Sequence, residues 1–123
     1  MTSHCHELPT GFQLPSEYVA LLAAATLPDI EPWWFLAETP DLLSFWTVTL
    51  QRQYPARSLV PFAKDGGSDD VVCFDGGDRS GAPRVLIIHS FTSPGWEGRW
   101  ELPGFARWLE LAVAEAAAAR MVD

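Results

Sequence analysis

Lysine is nearly missing from this sequence: Lys64 is the only one, and with seven arginines it stands against sixteen Asp and Glu, a formal net charge of −8. The isoelectric point falls near 4.7. A chain so poor in cations lacks the basic face with which proteins displace counterions from nucleic acid, and it gains nothing from docking on anionic lipid. Cysteine is as scarce, with Cys5 and Cys73 alone, too few for a disulfide scaffold. No apolar run approaches the roughly 20 residues needed to span a bilayer. The opening Met1-Thr2-Ser3-His4-Cys5-His6-Glu7 has neither the basic start nor the apolar stretch of a secretion signal, so a cytoplasmic protein with reduced thiols is expected. Glycine-rich phosphate loops, nucleophile elbows and zincin helices are missing too.

What is present is apolar and aromatic. Of 123 residues 48% are hydrophobic and 20% charged, with six Trp and seven Phe, a composition that can bury a core and argues against disorder. The length fits one domain, 1–123, with a core spanning about 12–115 and a loose tail over 1–10. The preference for Arg over Lys and the abundance of Ala point to a GC-rich bacterial coding sequence.

The expected fold is α+β: a central antiparallel β-meander flanked by N-terminal and C-terminal helices. Leu14, Tyr18, Leu21 and Leu22 share one face of a helix that begins around Pro15-Ser16-Glu17 and runs to Ala25. The aromatic run Trp33-Trp34-Phe35 has strand preference. Thr39-Pro40-Asp41 is a helix start, although Thr47-Val48-Thr49 is better suited to a strand. Three strands follow, 59–63, 70–75 and 84–91, joined by Gly/Asp turns, with Pro61 marking an edge or a bulge. A Trp/Gly-rich loop through Arg99 then leads by Trp100-Glu101 into a last helix whose Phe105, Leu109, Ala112, Val113 and Ala116 form one stripe.

Three stretches together resemble the SMI1/KNR4, or SUKH, superfamily. Leu14-Pro15-Ser16-Glu17-Tyr18 is similar to its opening Leu-Pro-x-x-Tyr. The run from Leu59-Val60-Pro61-Phe62-Ala63 through the Asp/Gly turn to Asp75 resembles its central hairpin. Val85 to His89, with Phe105-Ala106-Arg107-Trp108-Leu109, resembles its polar-ended strand and closing aromatic helix. The resemblance implies a SUKH-like, non-enzymatic binding domain without cofactor. Many bacterial members are immunity proteins that neutralise toxins, often nucleases, and fungal relatives act as interaction hubs in cell-wall signalling.

Several side-chain sets qualify as candidate sites. Asp65, Asp69, Asp70, Asp75 and Asp78 flank one hairpin, and alternation puts Asp69, Val71, Cys73 and Asp75 on one face. Such a cluster suits a basic partner or Ca²⁺, but Asp is also what tight turns require, and the calcium-loop spacing is absent. Cys73, His89 and an aspartate are the residue types of a cysteine hydrolase; nothing near Cys73 would lower its pKa, and a mid-strand Cys is ordinarily a small buried hydrophobe. His4-Cys5-His6 offers Zn²⁺ or Cu²⁺ ligands, yet neighbours at a chain end do not close a site, so no metal is assigned. Trp46 and Trp108 fall on helix faces as core residues, and Trp33 and Trp34 cannot share one face of a strand. Trp96, Arg99 and Trp100 are either interface anchors or a lid folded over the sheet. The Ala-rich last helix docks on the sheet or packs on a second copy, leaving monomer and homodimer open.

The expected function is stoichiometric binding of a protein partner, such as a basic toxin of nuclease type, through the acidic turns and Trp96, Arg99 and Trp100, without direct contact to nucleic acid or membrane. A regulatory or scaffold role toward an endogenous partner is the alternative, and a small cysteine hydrolase the remote one.

Overall fold

In Val71-Val72-Cys73-Phe74 four apolar side chains follow one another, and a strand sends successive side chains to opposite faces, so this strand needs cover on both sides. A computed structural model describes residues 8–122, apart from the side chains at positions 99, 121 and 122. Its elements are α1 (Ser16–Leu22), β1 (Trp33–Phe35), a 3₁₀ turn (Leu36–Glu38), α2 (Pro40–Gln53), β2 (Leu59–Asp65), β3 (Asp70–Asp75), β4 (Val85–His89), β5 (Gly98–Leu102) and α3 (Phe105–Val122). The strands form one antiparallel sheet in the order β1-β2-β3-β4-β5. The fold is therefore α+β, a five-strand meander with helices before, within and after it. Among the described residues no helix is long and apolar enough to cross a membrane.

Helices cover the sheet from both sides. Trp33, Phe35, Phe62, Val72, Phe74, Val85 and Ile87 pack against Tyr18 of α1 and Phe105, Trp108 and Ala112 of α3. Phe62 and Phe74 stack at 4.2 Å between ring centroids, and Trp108 stands edge-on to Phe62 at 5.1 Å. On the other side Val71, Cys73 and Ile88 meet Leu36, Trp46, Leu50 and Tyr54. Trp33 and Trp34 do take opposite faces; Trp33 joins the first core and Trp34 packs against the second.

Several boundaries differ from the sequence expectation, among them that of β2, which runs on to Asp65 instead of ending at Ala63. α1 stops at Leu22, three residues before Ala25, and the Ala23 amide closes the helix by bonding to the carbonyls of Val19 and Ala20. β4 ends at His89, because Ser90 and Phe91 already turn. Of the two readings of Pro61, edge or bulge, the second holds: β2 lies between β1 and β3, and the register shifts between Pro61 and Ala63, accommodating the missing N–H. The stretch expected as loop and lead-in is β5, which pairs with β4 from Val85↔Leu102 to Ile88↔Gly98.

Trp108 is 2% exposed and Trp96 79% exposed. Trp108→Ala is expected to cost about 3–5 kcal/mol, and Trp96→Ala less than about 0.5 kcal/mol. Urea unfolding followed by circular dichroism measures both.

Candidate functional site

The five aspartates do not form one surface. They sit at the two ends of β3, whose six residues span about 17 Å at about 3.4 Å per residue. At one end Asp65 closes its own turn: its Oδ1 accepts the Gly67 N–H at 2.9 Å and its Oδ2 the Ser68 hydroxyl at 2.7 Å. At the other end Asp75 Oδ1 accepts the Gly77 N–H at 2.9 Å, and its Oδ2 lies 2.6 Å from the Arg84 guanidinium. Asp78 accepts the amides of Ser80 and Arg84, each at 3.0 Å. Hydrogen bonds from the Ser80 side chain and amide, then from the Arg84 amide, hold Asp78 below the usual carboxylate range. The single acidic cluster is thus corrected to two groups, and the turn chemistry explains Asp65, Asp75 and Asp78. Asp69 precedes β3 instead of sharing its face; its carbonyl accepts the Ser90 amide and hydroxyl at 3.0 and 2.7 Å.

Asp70 does meet His89. The two are opposite in the β3–β4 register, and His89 Nδ1 lies 2.8 Å from Asp70 Oδ1. Cys73 is not part of this pair: it faces Leu86, three residues along the strand, and packs on the α2 side, while His89 has the parity of Ile87 on the α1/α3 side. Burial pushes the Cys73 thiol far above its usual range, against a weaker pull from Arg57. His4, Cys5 and His6 lie outside the described residues. Among the described residues no group of three His, Cys, Asp or Glu is arranged to hold a metal ion.

The aromatic candidates are on the surface. Trp96, in the loop between β4 and β5, is 79% exposed, and Trp100, in β5 opposite Ile87, is 66% exposed, so neither folds back as a lid. Arg99 lies in β5, and its side chain is outside the described set. Glu97 anchors this loop. It is buried, pairs with the Arg57 guanidinium, and takes the Gly95 N–H on Oε1 at 2.6 Å. Gly95 bends there with φ +104°, a conformation open to glycine. Burial raises the Glu97 pKa, but the bonds from Arg57, its own amide and Gly95 prevail and leave it lowered. Beside this ion pair a cavity of about 230 Å³ is lined by Arg57, Leu86, Ile88, Gly98, Trp100 and Glu101.

Two exposed aromatics escaped the sequence reading. Phe91 in the same loop is 62% exposed and Phe45 on α2 50% exposed. Phe45 is legible on a helical wheel, three residues from the exposed Leu42 and Val48; Phe91 carries no sequence signal, because its placement follows from the turn. Comparison with protein-family models, with curated proteins and with solved structures gives no match to this chain.

Two measurements follow from this geometry. Iodoacetamide should leave Cys73 unmodified in the folded protein and alkylate it in urea, as mass spectrometry of the Cys73 peptide reports. Glu97, lowered when folded, stabilises above its unfolded pKa of about 4.3, and that contribution disappears as pH falls through the folded value. Glu97→Gln should therefore lose less stability than wild type between pH 5 and pH 3, as urea midpoints across that range will reveal.

Proposed function

We propose that this chain is a SUKH-like protein-binding domain that neutralises a basic protein toxin, such as a nuclease, by stoichiometric binding, with no catalysis of its own. The observation that carries this reading is the pair of exposed indoles, Trp96 and Trp100, at the sheet's β5 end. Large aromatic side chains left in water gain free energy when a partner covers them, and Trp is the residue most enriched among interface hot spots. The three stretches that carry the resemblance set out above fall, in order, at α1, on the β2–β3 hairpin, and on β4 with α3.

Charge supplies the second part. The excess of acidic side chains creates a field that draws a basic partner in and repels acidic ones. Asp65, Asp69 and Asp70 lie together at one end of β3 and contribute locally, whereas Asp75 and Asp78 are drawn to Arg84 at the other. Arg99 stands in the strand that carries Trp100.

Isothermal titration of the purified protein against the products of neighbouring genes tests the proposal. A one-to-one complex is expected, with Trp96→Ala and Trp100→Ala each weakening it roughly tenfold or more, about 1.4 kcal/mol. Absence of binding at micromolar concentration to any neighbouring toxin rejects the immunity role.

A further inference from the structure

Three large apolar side chains of α2, Leu42, Phe45 and Val48, are exposed, although the helix has a buried face of its own in Trp46 and Leu50. Asp41, Phe45, Val48 and Arg52 follow one another at positions i, i+4, i+7 and i+11, so they stand in one column on the solvent side of the helix, with Leu42 beside it. From Asp41 to Arg52 the column spans three helical turns, about 16 Å. It is acidic at the first turn, apolar along its middle and basic at the last. The helix macrodipole accounts for the sign of each end. It does not account for apolar side chains kept in water between them.

The charge of this face is balanced in a chain whose total is −8. Asp65 is opposite Trp33 and Asp70 opposite His89 in the register, which puts both carboxylates on the α1/α3 side of the sheet. On the α2 side Asp41 stands against Arg52 and Lys64, whose ammonium lies 5.4 Å from the Trp46 ring centre. Phe45 and Phe91 stand edge-on to the same indole, at 5.2 and 5.9 Å between centroids. Phe91, whose amide is held by Gln53, continues the exposed apolar area at the C-terminal end of α2.

We infer that this column is a homodimer contact, on which a second copy of the chain lays its own α2 antiparallel about a two-fold axis. The column is its own complement in that arrangement. An axis passing between Phe45 and Val48 sets Asp41 against Arg52 of the second copy and Arg52 against its Asp41, while Phe45 meets Val48 twice between them. Both ends are thus neutralised and the apolar residues leave water together. A parallel arrangement would bring Asp41 to Asp41 and Arg52 to Arg52, with the two macrodipoles aligned. A partner of one sign matches only one end of the column, whereas a second copy matches both. Because α2 packs on β2 and Trp100 lies in β5 at the far edge of the sheet, the dimer leaves that indole uncovered, and the inference stands independently of the binding function proposed above.

A contact centred on one helix of 14 residues, about 21 Å long, belongs with the small, weak interfaces. Sedimentation velocity of the wild-type chain should therefore show a reversible monomer–dimer equilibrium with a midpoint between about 10 µM and about 1 mM. Phe45→Ala and Val48→Glu should each weaken it roughly tenfold or more. Asp41→Arg and Arg52→Asp should each be monomeric where the wild type is half dimer, because each sets like charges at both ends of the column. Mixed with one another, these two variants should associate again, since opposite charges then face at both ends. Circular dichroism of each variant alone establishes that it is folded, and Phe45 and Val48 are tested separately so that loss of fold in one leaves the other to decide. A wild type that stays monomeric to about 1 mM overturns the inference. So does a dimer that folded Phe45→Ala or Val48→Glu leaves intact, or one indifferent to either charge reversal. Failure of the two folded charge variants to associate on mixing overturns it as well.

Discussion

Val71, Val72, Cys73 and Phe74 are each 0% exposed, two directed to each side of the sheet, and this two-sided burial sets the plan of the molecule. Five strands at about 4.8 Å spacing make a sheet about 19 Å wide, and a helix with its side chains covers about 10 Å. Two helices, α1 and α3, share one face. Among the described residues α2 alone serves the other, and it packs on β2 and the 3₁₀ turn. The helices run out before the sheet does. The β4–β5 half of the α2 side is accordingly where Leu86 stays half-buried and the cavity beside Arg57 opens.

The C-terminal end of α2 compensates by gripping the loop that borders this uncovered half. Gln53 holds the Phe91 amide, Tyr54 holds Thr92, and Arg57 crosses to Glu97. An ion pair with one buried member adds little net stability, because desolvation offsets much of the attraction, but removing either partner leaves the other badly placed. Its consequence here is geometric. Three contacts from five residues of chain fix a loop that has no regular structure of its own, and that loop carries Phe91 and Trp96 into solvent. Rigid presentation of aromatic rings lowers the entropy lost when a partner covers them.

Much of this was legible in the sequence because the signals were local. The meander announced itself through apolar runs bounded by Asp-Gly turns, and Thr39-Pro40-Asp41 marked α2 despite the β-branched residues that follow. Trp46 and Trp108 were placed as core from helical spacing alone. The misses have a common cause in non-local structure. Arg99-Trp100-Glu101-Leu102 does alternate polar and apolar, but the run is only four residues long and follows a Gly-rich turn; the edge that β4 offers is what makes it a strand. The aspartates looked like one cluster because they are close in sequence, whereas an extended strand carries its two ends apart. Phe91 was invisible because its conformation is imposed by side chains 37 and 38 positions away, those of Tyr54 and Gln53.

The division of the aspartates changes what the acidity can do without cancelling it. A carboxylate already bonded to its own turn, as in Asp65 or Asp78, is a poor contact residue, since a partner would have to match bonds that exist. Its charge still counts toward the field, which at physiological salt decays over about 8 Å and sums over all nearby surface groups. In a protein-binding domain such charges act on the rate of encounter, and the desolvated anchors act on the rate of escape. The two tasks therefore need not share residues. On the binding function proposed above, the turn aspartates steer from both ends of β3, while the apolar contacts fall to exposed aromatic rings such as Trp96 and Trp100.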